Sequence, residues 1–461
     1  MKSPFSKKVQ GLKIIIVGCG KVGTTLVESL SKEKHDITVV DINPQVVQRV
    51  TGTYDVMGIP GNGASYSVQI DAGIENADLI IAVTESDELN LLCCTIAKKV
   101  GDCAAVARVR NPDYSAELSY LRDQLGISLI INPELETASE IARLLRLPTA
   151  LEISSFAKGH AEIVKFRIPQ GNVLHEMKLA SLAEFKCDLL ICAVEREGNL
   201  VIPDGSFELR EMDLVSFLAT PINTQNFFKK INVETHQVRN CTIIGGGKTS
   251  YYLAKQLLET NISVKLFEMN EQRCDELSVL LPKALVIHGD GSDESLLREE
   301  GIENAEAFVP LTGLDEENIL LTLFARKNSN TKVITKINRS TFIDVIDSMD
   351  LGSVIYPRYM TTEKIVAYVR AMQNSIGSNI ETLYHLFDNR AEAIEFKVEK
   401  DSPVIGKPLM ELPLKDELLI ACLNRKGKII IPRGADSIQA GDRVIVVTAH
   451  TGFHDVKDIL K

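Results

Sequence analysis

Three glycines, Gly18, Gly20 and Gly23, follow directly on the apolar run Ile14-Ile15-Ile16-Val17, and an acid, Asp41, ends the next apolar run. This spacing makes a cradle for a pyrophosphate. The first glycine permits a tight turn, the second lets backbone approach the phosphates, and the third lets helix and strand pack closely. Free N–H groups at the helix start and the positive end of its dipole hold the anion. Asp41 can accept hydrogen bonds from ribose hydroxyls and repels a 2′-phosphate, so NAD or another adenine nucleotide fits better than NADP. Cys19, Lys21 and Val22 fill the turn, and the Lys21 ammonium can meet a terminal phosphate or simply be solvated.

The same chemistry is written a second time. Gly245, Gly246, Gly247, Lys248 and Thr249 follow Thr242-Ile243-Ile244, with Glu268 in the place of Asp41 and Asn270 in that of Asn43. Ser250 replaces the third glycine, which should open the packing slightly and leave the phosphate-facing amides. After the third strand of each copy come Gly61-Asn62-Gly63 and Gly289-Asp290-Gly291; after the fourth come Thr84-Glu85-Ser86-Asp87 and Thr312-Gly313-Leu314-Asp315. These places line the crevice beyond the carboxyl ends of a doubly wound sheet. Arg108 and Lys336 end the fifth strands, where they can add positive charge. Gly73-Ile74-Glu75-Asn76-Ala77 returns letter for letter at Gly301–Ala305. So long a repeat is a duplicated domain pair rather than a solenoid.

Catalytic equipment does not accompany these turns. A dehydrogenase needs a His, Lys or Tyr poised at the hydride acceptor, yet none of the eight histidines recurs at a crevice position in both copies. No Ser–His–Asp set, metal-ligand cluster or G-x-x-x-x-G-K-[ST] loop is present. A ligand-sensing assembly is therefore favoured over an NAD-dependent oxidoreductase of unknown substrate, with a nucleotide-binding scaffold as the third reading.

The elements that must position these residues alternate strand and helix. Strands are expected at 13–17, 36–40, 55–59, 79–83, 104–109 and 129–131, and helices at 21–31, 65–72 and 90–100. An amphipathic helix covers Glu134–Arg146, and Glu363–Met372 forms another; both are candidates for subunit contact or for packing within a domain. From Ala150 short strands and turns take over, at 161–168, 189–195 and 213–218. The polar stretch 220–240 reads as a linker whose Phe227 and Phe228 dock on a domain. The fold class is α/β, with tandem Rossmann-like doubly wound parallel sheets, each followed by a small α+β module. The domains are placed at 12–133, 150–221, 239–357 and 378–461.

Composition bounds the partners. The chain has 461 residues, 45% hydrophobic and 25% charged, with a net charge of −11, which disfavours a nucleic-acid backbone. The apolar run after the lysine-bearing start is too short for a signal peptide or membrane span, so no direct membrane insertion is expected. Nine cysteines without a C-x-x-C pair argue for a reducing compartment and core packing.

Across residues 12–450 the sequence resembles the TrkA family, cytoplasmic regulatory subunits of bacterial Trk potassium-uptake systems. Their domains belong to the wider class that regulates conductance of potassium (RCK or KTN). The stretches carrying the resemblance are Ile16–Gly23, Asp36–Asp41, Ala82–Asn90 and Ala107–Tyr114. It implies a non-enzymatic gate controller with RCK-N and RCK-C (TrkA-C) modules, assembled as a homo-oligomeric ring, a tetramer, beneath a separate Trk-type membrane subunit that conducts potassium. The subunit would be cytoplasmic, peripheral on the inner face of the plasma membrane through that partner. The implied cofactor is NAD(H), with ATP and ADP open, contacted by Gly18–Val22, Asp41, Thr84, Glu85 and Arg108, and in the second copy by Gly245–Thr249 and Glu268.

Overall fold

Ile14, Ile15, Ile16 and Val17 are all buried, as expected of a parallel strand covered on both faces. In the computed structural model, which describes residues 11–33, 35–115, 117–233, 236–339, 345–346, 349–374, 380–386, 390–450, 453 and 455–461, this strand sits at the centre of a six-stranded parallel sheet. Its strands are β1 (Lys13–Val17), β2 (Asp36–Asp41), β3 (Met57–Pro60), β4 (Leu79–Ala82), β5 (Ala104–Arg108) and β6 (Leu129–Ile131), in the order β3-β2-β1-β4-β5-β6. The order reverses between β1 and β4, the place where such sheets open a ligand crevice. The lysine-bearing start, residues 1–10, lies outside the described residues.

The chain then forms β7 (Glu152–Phe156), β8 (Ala161–Arg167), β9 (Leu189–Arg196), β10 (Asn199–Val201) and β11 (Leu214–Ala219). The second parallel sheet follows with β12 (Asn240–Ile244), β13 (Ser263–Glu268), β14 (Leu285–His288), β15 (Ala307–Pro310), β16 (Lys332–Lys336) and β17 (Ser353–Ile355), in the order β14-β13-β12-β15-β16-β17. Last come β18 (Ile380–Leu386), β19 (Ala391–Lys397), β20 (Leu418–Arg425), β21 (Lys428–Ile430) and β22 (Arg443–Thr448).

Two compact units result. The first holds both parallel sheets (1–139 and 240–368), the second both small modules (140–239 and 369–461). In the second unit the five-stranded antiparallel sheets run β7-β8-β11-β9-β10 and β18-β19-β22-β20-β21, one arrangement used twice. They share a core of mostly small residues, among them Ala161, Ala193, Cys192, Ala391, Ala393, Ala421 and Cys422. Alternation on β19 explains this: Ala391 and Ala393 face that shared core, while Ile394 and Phe396 face the module's own. In each module a buried aspartate braces the sheet through a two-pronged bond with an arginine, Asp213 with Arg196 and Asp442 with Arg425.

The stretch read as a linker contains a helix, Pro221–Lys230, with Thr220 capping Asn223 N and proline at its first position. Phe227 and Phe228 dock as expected, packing edge-on against Phe166 and Phe217 of the first small module. The helix expected from Asn90 begins earlier, at Asp87, because Ser86 Oγ accepts the Leu89 N–H. The candidate contact helices are Pro133–Arg146 and Pro357–Asn374, and Glu136 of one pairs with Lys364 of the other inside the first unit. The repeated Gly-Ile-Glu-Asn-Ala segments are short turns begun by left-handed glycines, Gly73 (φ 82°) and Gly301 (φ 76°), each burying its isoleucine. No described helix is long and apolar enough to cross a membrane.

Candidate functional site

Each crevice begins where the central strand turns into its helix. Gly18 has φ +96° and lies so near the fourth-strand loop that a Cβ there would sit 2.9 Å from Thr84 N. A Cβ on Gly23 would stand 1.9 Å from the Gly18 carbonyl oxygen, so helix and strand touch at bare backbone. Gly20 is different. Its backbone (φ −68°, ψ −164°) suits any residue, and nothing lies within 4 Å of where its Cβ would be. Gly247 repeats this, with φ −67°, ψ −177° and the same empty space. Gly245 repeats the turn of Gly18 with φ +95°. Its Cβ would be 3.2 Å from Leu311 O, so the second turn stands slightly farther from its neighbouring loop.

The acids are already aimed at the turns. Asp41 Oδ2 accepts from Cys19 N at 2.7 Å and Oδ1 from Asn43 N at 2.9 Å. Glu268 does likewise, with Oε2 to Gly246 N at 2.7 Å and Oε1 to Asn270 N at 2.8 Å. A carboxylate oxygen accepts more than one hydrogen bond, so each retains capacity toward a ribose. Asn43 and Asn270 cap the following helices. Cys19 is buried beneath the turn, and burial, with Asp41 beside it, pushes its thiol up to about 12. Val22 points inward, whereas Lys21 and Lys248 are exposed at the helix starts and Thr249 is half-buried.

The remaining predicted residues are held mainly by their own loops. Asn62 Oδ1 accepts from Ala64 N, and Asp290 Oδ1 from Ser292 N and Oγ, so both close turns after the third strands. A Cβ on Gly61 would stand 2.7 Å from Val68. Thr84 gives its N–H and Oγ1–H to Asn90 Oδ1, at 2.8 and 2.7 Å. Thr312 gives the same pair to Asn318 Oδ1, at 3.0 and 2.9 Å. Both hydroxyls are therefore engaged before any ligand arrives. The Glu85 side chain is exposed, and its carbonyl accepts from Arg110. Arg108 donates to the Thr84 carbonyl while its Nε is buried without a partner among the described residues; burial, then Arg110, lowers its pKa. Lys336 donates to Leu311 O at 3.1 Å, and burial lowers its pKa too.

Sequence reasoning missed what organises these loops. Asn90 and Asn318 are wholly buried, and each also donates to the fifth-strand carbonyls, Arg108 O at 2.9 Å and Lys336 O at 3.0 Å. One helical turn earlier, Asp87 accepts from Arg110 N and Asn111 N, and Asp315 from Asn338 N and Arg339 N. Each Asp-x-x-Asn pair thus ties the loop after the fourth strand to the loop after the fifth. The signal was available, because Asp87-Glu88-Leu89-Asn90 and Asp315-Glu316-Glu317-Asn318 recur at equivalent places.

Known proteins resemble this chain in sequence and in fold. The sequence model of the TrkA-N domain matches residues 14–133 and 241–357, and that of the TrkA-C domain matches residues 393–461. The chain belongs to the TrkA family. The Trk system potassium uptake protein TrkA homolog 1 of Methanosarcina mazei is 32% identical over 463 residues, covering 98% of this chain and 100% of that protein. The Haemophilus influenzae Trk system potassium uptake protein TrkA is 31% identical over 440 residues, 94% of this chain and 95% of its own. Among solved structures, the GsuK RCK domain superposes with a TM-score of 0.62 at 18% identity, over 96% of this chain and 93% of that one. The NAD-bound GsuK channel gives 0.61 at 19% identity, over 96% and 78%. Both show the fold, tandem Rossmann-like RCK domains. TrkA-family membership places the chain among potassium uptake proteins.

Proposed function

We propose that this chain is a nucleotide-sensing regulatory subunit of a potassium uptake system, binding NAD(H), or ATP and ADP, in its two crevices and gating a separate membrane subunit. It carries out no reaction. In this reading the subunits form a homo-oligomeric ring, a tetramer, held on the cytoplasmic face of the inner membrane by the Trk-type partner. Gly18–Gly23, Asp41, Gly61, Asn62, Thr84, Glu85 and Arg108 line the first site. Gly245–Thr249, Glu268, Asp290 and Thr312 line the second.

The observation that carries this reading is the middle glycine. At Gly20 and Gly247 neither the backbone nor the packing calls for glycine, since φ is ordinary and the space for a Cβ is empty. What does call for it is a ligand approaching the amides closely. The GsuK channel, of the same fold, is known bound to NAD and to ADP. A ligand can move such an assembly only through its differential affinity for two conformations, and a coupling of about 1–3 kcal/mol would change gating roughly five- to 150-fold.

The test is calorimetric titration with NADH, NAD, ATP and ADP of the intact chain and of Gly20→Asp and Gly247→Asp. Because nothing crowds either Cβ, these variants keep the fold and place a carboxylate where phosphate would lie. Two separable sites, each lost in its own variant and without turnover, are expected. Absence of binding, or hydride turnover in a substrate screen, would overturn the proposal.

A further inference from the structure

The helix that starts at the second turn reaches the loop after the first copy's fifth strand. Tyr252 lies on the helix Lys248–Glu259, whose start is the second turn. Its hydroxyl accepts from Asn132 Nδ2 at 3.0 Å and lies 3.3 Å from the Arg110 carbonyl, to which it donates. Asn132 Oδ1 accepts from Leu135 N, which leaves the amide nitrogen to face Tyr252. Both side chains are buried.

Arg110 is one of the residues that brace the first crevice. Its N–H and its Nε go to the Asp87 carboxylate, and its guanidinium also reaches the Glu85 carbonyl. One residue therefore separates the second copy's phosphate helix from the Thr84–Asp87 loop of the first site. Charge converges at the same place. Burial raises the pKa of Glu134, two residues past Asn132, against the influence of Arg110, Arg108 and the second turn's Lys248. A phosphate settling on the second turn would add negative charge to this set.

The link is single. At the position of Tyr252 the first copy has Thr25, whose hydroxyl turns back to the Lys21 carbonyl. Gln256, one turn further along the Tyr252 helix, also crosses between copies, to Ser139 Oγ at 3.0 Å, but touches no crevice residue.

We propose that Tyr252 is a positioning residue that couples the two nucleotide sites. A ligand on the second turn shifts the start of its helix, the hydroxyl pulls on or releases Arg110, and the loop that faces the first ligand follows. This rests on the nucleotide-binding reading above. Coupling is reciprocal in free energy, so the first ligand must alter the second site equally.

The test is NADH titration, followed by fluorescence, of the intact chain, of Gly20→Asp and Gly247→Asp as single-site references, and of Tyr252→Phe with and without each block. ADP serves as the second probe if NADH fills one turn only. In the intact chain, filling one site should change the affinity of the other about 5-fold or more. In Tyr252→Phe, which keeps the buried ring, the two sites should bind independently while each single-site affinity stays within about 2-fold, well inside the range of that coupling. Gln256→Ala should leave the coupling intact. Coupling that persists in Tyr252→Phe, or independent sites in the intact chain, would overturn the inference and leave nucleotide binding standing. Absence of binding at both turns would remove both.

Discussion

The two glycine turns are nearly one backbone set in different surroundings. Gly18 and Gly245 have φ +96° and +95°, and each acid reaches the turn's next amide at 2.7 Å. Side chains around that shared path differ in compensating ways. The first copy uses the shorter Asp41 under Cys19; the second uses the longer Glu268 under Gly246, where a Cβ would stand 2.7 Å from Glu268 Oε2. The first copy closes helix on strand with Gly23; the second admits Ser250 and holds its turn slightly farther off. The interior pins are identical, Asp87 and Asn90 matching Asp315 and Asn318. The difference teaches that the geometry of the loops is kept by the buried Asp-x-x-Asn pair, while the turn residues have changed together.

Exchanging the third residue of the turns should break the likeness most strongly. In Gly23→Ser the new Cβ meets the Gly18 carbonyl at 1.9 Å, so the helix must move away from β1. A loss of roughly 3 kcal/mol or more is expected, with loss of NADH binding by the first turn. The mirror change, Ser250→Gly, removes a buried hydroxyl with no partner among the described residues and should shift stability by less than about 1 kcal/mol, the loss of a poor polar site offsetting the backbone entropy of glycine. Urea unfolding and NADH titration of both variants check this. If Gly23→Ser is tolerated as serine is at position 250, the copies differ less than their packing indicates.

At the opposite ends of the sheets the contrast is electrostatic. The first copy starts β5 with Ala104, but the second starts β16 with Lys332, which burial, with Arg326 nearby, pushes down to about 7. Its ammonium donates to Ser353 Oγ at 3.0 Å. The unfolded chain holds this proton up to about 10.4 while the folded chain begins to release it near 7, so between those values the unfolded state binds more protons. Stability of the second copy should accordingly rise from pH 7 toward pH 10. Lys332→Met should gain roughly 1–3 kcal/mol at pH 7 and flatten that rise. Unfolding of the intact chain and the variant across this range gives the answer; parallel profiles would show that Lys332 is not the source.

Much of this was legible in the sequence because it is local. The glycine turns, the acids ending β2 and β13, and the strand–helix alternation each follow from contiguous residues, and their duplication made them stand out. By sequence Asn90 marks the start of a helix and the end of a stretch that carries the family resemblance. Its purpose, joining Thr84 to the Arg108 carbonyl, exists only once β4 and β5 lie side by side, and an Asn or Asp in a helical run otherwise reads as a cap or turn former. The helix within 220–240 carried its own signal, Thr220-Pro221, but polar composition outweighed it. Tyr252 gave no sign at all, since its partners Asn132 and Arg110 belong to the other copy.

The smallest effect expected is also the sharpest test of the paired exchange. Gly246→Ala alone should crowd Glu268 and Leu277, each 2.7 Å from the new Cβ, and weaken both the acid–amide bond and NADH binding at the second turn. Glu268→Asp alone should lose reach to Gly246 N. Together they recreate the relation of Asp41 to Cys19, so the double variant should recover part of both losses. A double-mutant cycle on stability should then show a favourable coupling of about 1 kcal/mol. Strict additivity would mean that the acid's length and the room at position 246 were settled independently, and the two turns would be alike by backbone alone.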